Sequence, residues 1–175
     1  MSSITFNITP FTIGTRTIIH LPRSASGKLP SRGAVAVEGT VGGVHFTTVL
    51  EPDGRGSHWF GSDGIVPAAA GIQTGTPVTL TLTPAGAWPE PEVPTDMKKA
   101  LSASPEADEQ WNDITVPARW DWLRWIRATK NPETRIVRIR KAIEMLAGGK
   151  RRPCCFNRNE CTETSVAKNG VLQDA

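Results

Sequence analysis

Tyrosine is absent from this 175-residue chain, so six tryptophans and five phenylalanines carry all of its aromatic character. Aromatic packing must rest on a few large anchors. Cysteine is scarce as well: Cys154, Cys155 and Cys161 are an odd set with two adjacent members, which excludes the paired disulfide framework of a small secreted domain. The opening MSSITFNITPF lacks the basic-then-apolar order of a secretory signal. The expected compartment is therefore cytoplasmic, where thiols stay reduced. No apolar run approaches the roughly 20 residues of a membrane span. The three histidines, His20, His45 and His58, all lie in the first third of the chain. No nucleophile elbow, phosphate loop or paired metal-ligand motif is present, so no catalytic residue, metal or cofactor is assigned and the expected role is non-enzymatic. Glu38 and His45 are placed to face each other across a hairpin, an arrangement equally ordinary on a solvated sheet.

What is abundant is positive charge, in one place. The net charge is +3, yet residues 117–152 hold 11 basic and 3 acidic side chains. Such a segment attracts anions: a small molecule, an acidic peptide or a nucleic acid. A helix face solvated by arginine and lysine accounts for it equally well.

Residues 1–84 read as β-structure. Phe11 to Leu21 is rich in threonine and isoleucine and closed by Pro22. After a polar loop, Arg23 to Arg32, the segment Gly33 to Val41 alternates apolar and polar positions. Gly42-Gly43 permits the positive φ values of a two-residue hairpin, and Val44 to Leu50 returns. His58 to Gly61 is a short strand, Val66 to Ile72 one or two helical turns, and Thr76 to Thr83 a further alternating strand. Five short strands with close turns point to a small antiparallel barrel, because closure removes exposed edges. Residues 85–94, with Pro89, Pro91 and Pro94, form a stiff linker.

From residue 95 to 152 the period changes to that of helices. Thr95 is the expected cap of a short helix, Asp96 to Ala103, and Pro105 to Trp111 is a second. A third begins near Pro117, with Ala118, Trp122, Trp125, Ile126 and Thr129 on its buried face. Trp120 falls on the opposite side with Arg124 and Arg127, at spacings of four and seven. That trio offers a stacking platform flanked by cations, or a plain surface cation–π pair. Asn131 caps the longest helix, Pro132 opens it and Gly148-Gly149 ends it. Ile136, Ile139, Ile143 and Leu146 are its expected buried stripe. Arg135 falls inside that apolar arc, where a guanidinium must snorkel out of the helix end or find an acceptor: a carboxylate of another element, or an anionic ligand.

Residues 153–175 form the tail. Cys154 follows Lys150-Arg151-Arg152, and neighbouring cations favour a thiolate. Arg151 and Arg152 are thus candidate ligand contacts, and Cys154, Cys155 and Cys161 candidate redox thiols, with inert burial as the alternative. From Thr162 onward the polar, aperiodic sequence is expected to be disordered.

The run WIRATKNPETRIVRIRKAIEMLAGGKRRP resembles the bacteriocin-protection, YdeI or OmpD-associated family. GAVAVEGTVGGVHFTTVLEPDGRGSHWF, followed by the GTPVTLTL strand, resembles the small β-barrel domain of unknown function that often precedes it in bacterial proteins. The two cover roughly residues 10 to 152. One departure is Gln73-Thr74-Gly75-Thr76-Pro77-Val78, where a Gly-Asp-x-Val-like entry to the last strand is expected. The resemblance implies an α+β fold, an N-terminal small antiparallel β-barrel followed by a small helical domain, and a link with stress or bacteriocin tolerance. It carries over no reaction and no catalytic residues. The expected function is a non-enzymatic binding or protective module. A thiol-based redox or metal-responsive protein using the cysteine tail, and a nucleic-acid binder using the Trp120 face, are the alternatives from other classes.

Overall fold

A computed structural model describes residues 2–154 and 156–174; the candidate Cys155 lies outside them. The chain divides into a strand unit, running to Pro89 and including Arg158–Cys161 and the residues from Ser165 on, and a helical unit of Glu90–Asn157 with Thr162–Thr164.

The strand unit contains seven antiparallel strands in one curled sheet: β1 (Ile4–Ile8), β2 (Phe11–Ile13), β3 (Arg16–His20), β4 (Val35–Val41), β5 (Val44–Pro52), β6 (His58–Gly61) and β7 (Val78–Pro84). Their order is β1-β7-β4-β5-β6-β3-β2. β1 and β2 stand at opposite ends of that order, yet only Thr9 and Pro10 separate them in the chain. The sheet must therefore curl back towards itself, giving a half-barrel. Alternation does the rest: Ile4, Phe6, Ile19, Val35, Val37, Leu50, Phe60, Leu80 and Leu82 fill the concave side. Each such burial contributes about 1.5–3 kcal/mol before entropy is charged against it.

The hairpin at Gly42-Gly43 forms as expected, with φ of 56° and 77° and Val41 opposite Val44. Its register sets Thr40 against His45 and Glu38 against Thr47, so Glu38 and His45 are not direct partners. Three features differ from the sequence reading. β1 is an additional strand. Phe11 to Leu21 is two strands, because Gly14, at φ 59°, lets the chain reverse before Arg16. The polar loop contains one helical turn, α1 (Arg23–Ser26), whose Ala25 packs into the core and whose Ser26 is buried beside it.

The helical unit comprises α2 (Thr95–Ser102), α3 (Pro105–Asp113), α4 (Val116–Arg127) and α5 (Pro132–Ala147). Pro94, not Thr95, occupies the cap position of α2, and Asp96 Oδ1 accepts the Met97 N–H at 2.9 Å. Ser104 and Thr115 cap α3 and α4, and Asn131 Oδ1 caps α5 by accepting from Glu133 and Thr134. Met97, Leu101, Trp111, Trp122, Ile126, Ile139, Ala142 and Leu146 form the core. Ile136 is the exception to the expected stripe, since 65% of it is exposed. The buried phase runs Ile139, Ala142, Leu146, three and four residues apart, and one turn earlier that phase falls on Arg135.

The tail is not disordered where it was expected to be. β8 (Ala167–Lys168) and β9 (Val171–Leu172) form a hairpin over Asn169-Gly170, with φ of 54° and 76°. That dipeptide between two short apolar pairs is the hairpin signal the polar composition masked. Val166, Ala167, Leu172 and Cys161 cover Ile18 and Trp59 on the convex side of β3 and β6, with Phe11 and Ile13 alongside. Ile18 and Ile19, like Trp59 and Phe60, are adjacent residues buried on opposite faces.

Candidate functional site

The basic segment folds into a lattice of ion pairs. Arg135 donates from Nε to Asp96 Oδ2 at 2.7 Å and from Nη2 to Oδ1 at 3.0 Å, a two-pronged pair across α5 and α2. The Arg135 hydrogen bond is the main reason the Asp96 carboxyl is held below its ordinary range, and Arg135 is raised in return. The acceptor demanded by a guanidinium in an apolar arc is thus a residue of α2. Arg151 bonds the Asp113 carboxylate at 2.9 Å and its carbonyl at 3.1 Å, while the Arg151 carbonyl accepts the Trp122 indole N–H. Arg152 donates to Asp121, a carboxylate only 5% exposed.

Arg124 overturns the platform geometry. It is 1% exposed, its guanidinium lies 5.4 Å from the Phe156 ring centre, and Asp121 is 3.9 Å away. A cation at that depth cannot flank a solvent-facing Trp120, which is itself half-buried. Arg127 turns to Thr162 Oγ1 at 3.1 Å and Glu163 at 3.6 Å. Helical periodicity misplaced Arg124 because it leaves out the residues beyond α5, of which Phe156 meets Arg124 and Arg152 meets Asp121. Arg138 stacks on Trp125 and donates to its carbonyl, and Trp125 meets Trp122 edge-on at 6.3 Å.

The thiols differ in exposure: Cys154 is exposed, whereas Cys161 is 3% exposed in the tail cluster. Among the described residues, no group of three histidine, cysteine or carboxylate side chains is arranged to hold a metal.

Two features of the strand unit escaped the sequence reading. One is a buried polar cluster at α1. His58, fully buried, has Nε2 2.7 Å from the Gly33 carbonyl and Nδ1 2.6 Å from Ser26 Oγ. A carbonyl only accepts, so Nε2 carries the proton and the Ser26 hydroxyl donates to Nδ1. Arg32 clamps the same turn through the carbonyls of Ser26, Leu29 and Gly56. Burial pushes the His58 pKa down, with the nearby Arg32 charge adding to it against the Gly33 bond. Next to it, Asp53 accepts from His20 at 2.8 Å and from the N–H groups of Arg55 and Ser57. Burial opposes its ionisation, but those bonds outweigh it and hold the carboxyl down to about 2. The serine and the histidine are both enclosed away from solvent.

The other is a cleft of about 630 Å³ along Ser62 to Gln73. Thr17, Asp63, Ile65, Ala68 and Gly71 line it, Ala68 being the first residue of a 3₁₀ turn, Ala68–Ala70. Thr17 N–H donates to Asp63 Oδ2 at 2.7 Å, and Ser62 N–H to the Thr17 carbonyl. Val66, Ala70 and Ile72 root the loop in the core, while Ile65 is 40% exposed at the lip. The legible signal was GSDGIVPAAAG, a glycine-punctuated apolar loop too long for a simple turn.

No helix among the described residues is long and apolar enough to cross a membrane. A search among curated proteins finds no match. Residues 8–82 match the model of the Domain of unknown function (DUF1905), and residues 90–149 match that of the Bacteriocin-protection, YdeI or OmpD-Associated family. The seven-stranded curled sheet and the four helices that follow it thus correspond to a DUF1905 segment succeeded by a Bacteriocin-protection, YdeI or OmpD-Associated segment.

Proposed function

We propose that the chain is a non-enzymatic binding module with a protective role, and that its ligand occupies the Ser62–Gln73 cleft. The observation that carries this reading is the cleft itself, a concavity of about 630 Å³ that combines an anchored carboxylate, Asp63, with aliphatic walls. That size and mixture suit a small molecule or a few residues of a peptide. The family name associates its members with bacteriocin protection, which makes tolerance of such a peptide the natural assay.

Filling the cleft tests the proposal. Ala68→Trp places an indole in the opening without touching the core strands. Cells lacking the natural chain and supplied with this variant are expected to lose bacteriocin tolerance, while the purified variant keeps its unfolding midpoint. Full tolerance from a folded Ala68→Trp protein would refute the cleft as the binding site.

A further inference from the structure

The tail hairpin covers a second surface, distinct from the cleft. On β3 and β6 Ile18 and Trp59 alternate with the core residues Ile19 and Phe60, and with Phe11 and Ile13 of β2 they would form an apolar patch on the convex face. Val166, Ala167 and Leu172 lie on it. The hairpin bonds to the sheet unit through Leu172 N–H to the Asp53 carbonyl at 2.9 Å, and Gly170 accepts from Cys161 N–H at 2.8 Å. Arg55 and Asp174 are 3.9 Å apart and both well exposed, which holds the end weakly. Beneath the hairpin Trp59 is 2% exposed, and its indole Nε1 has no hydrogen-bond acceptor among the described residues. A buried donor left in that state is costly, so the hairpin is an incomplete occupant of the face it covers.

We propose that residues 165–174 are a displaceable strap over a peptide-docking face centred on Trp59. The occupant that displaces it is an extended segment with aliphatic side chains in the places of Val166 and Leu172 and a backbone carbonyl directed at Trp59 Nε1. The strap supplies the first of those features and lacks the second. Extended backbone offers carbonyls at every residue, which makes a peptide strand the fitting chemistry.

The glycines provide a matched pair of variants. Gly54 and Gly56 have similar positive φ, 83° and 90°, so alanine strains the backbone equally at both. An added Cβ at Gly54 would lie 2.2 Å from the Gly170 carbonyl oxygen, whereas at Gly56 it meets nothing within 4 Å. Gly54→Ala therefore pushes against the strap and Gly56→Ala does not. In the full chain with Cys154→Ser and Cys155→Ser, the remaining Cys161 thiol, under the strap, reports opening by its labelling rate. Gly54→Ala is expected to accelerate labelling about tenfold or more over Gly56→Ala, with exchange of the β4 amides unchanged. Equal labelling in the two variants, or β4 amides that loosen in parallel, would overturn a separately opening strap. For the docking face the probe is a synthetic peptide of residues 165–174 added to the full-chain Leu172→Asp variant. Saturable binding, at least about tenfold tighter than to the unaltered chain, is expected because the native strap competes. No binding to Leu172→Asp, or equal binding to both chains, would overturn the docking face.

Discussion

The strand unit and the helical unit deal with polar side chains in opposite ways. In the strand unit they are taken inside and satisfied by hydrogen bonds: His58 is held uncharged between Ser26 and Gly33, and the buried Asp53 carboxylate collects three N–H donors. The helical unit keeps its charges and cancels them in pairs, Arg135 with Asp96 and Arg151 with Asp113 where water still reaches, with the buried Asp121 between Arg124 and Arg152 as the exception. A buried hydrogen bond cannot be replaced by solvent when a partner is lost, whereas a wetted ion pair can. The stability of the first unit should therefore depend steeply on single polar groups, and that of the second should not wherever its pairs are wetted, the buried Asp121 cluster aside.

The largest expected effect is at His58. His58→Leu leaves the Gly33 carbonyl without its donor and Ser26 without its acceptor, at about 1–3 kcal/mol for each buried group. Chemical denaturation followed by exchange of the β4 amides should register a loss of about 2–5 kcal/mol. A loss under about 1 kcal/mol would mean that the cluster is wetter than its burial implies. Packing comes second. A Cβ at Gly39 would stand 2.3 Å from the Phe46 ring, which is itself stacked on Phe60 at 5.5 Å. Gly39→Ala should cost about 1–3 kcal/mol through forced rotation of Phe46, measured by the same exchange.

How much of this was legible depended on whether period or partner choice carried the information. The Val41 to Val44 hairpin and the Asn131 cap are local, and their residue types state them. The split at Gly14 was also local but was obscured by unbroken β propensity on both sides. The site residues were legible only halfway: an acceptor for Arg135 followed from its place in the apolar arc, but that it would be Asp96, 39 positions earlier, is a tertiary fact. The excess of 11 basic over 3 acidic residues in 117–152 looked like an anion-binding face because Asp96, Asp113 and Glu163 lie outside that window. Charge counted along a segment says little about charge left over after folding.

Acidification tests the comparison without a mutation. The folded pKa of His58 lies below its ordinary 6.5, so the unfolded chain takes up a proton that the folded chain resists. The stability this contributes is complete above about pH 6.5 and falls as pH drops from there through the lower, folded pKa. Asp53 has the same sign at lower pH, its contribution being lost between the ordinary carboxylate value and about 2. The β4 amides should lose protection between pH 7 and 5, and His58→Gln should flatten that slope. A slope that persists unchanged in the variant would assign the pH dependence to another group.

The smallest effect belongs to Arg135. Its pair with Asp96 has good two-pronged geometry, but the arginine side chain is 28% and the aspartate 49% exposed, so water competes for both. Arg135→Ala should cost about 0.2–1 kcal/mol, and the difference should shrink as salt screens the pair. Exchange of the α5 amides at low and high ionic strength measures it. The aliphatic stem of Arg135 also continues the Ile139–Ala142–Leu146 phase, so Arg135→Met separates the two contributions: it keeps the stem and removes the charge. If Arg135→Met is as stable as the natural chain at all salt concentrations, the stem outweighs the ion pair. If both substitutions cost several kcal/mol, the helical unit depends on its charges as steeply as the strand unit does on His58, and the contrast between them fails.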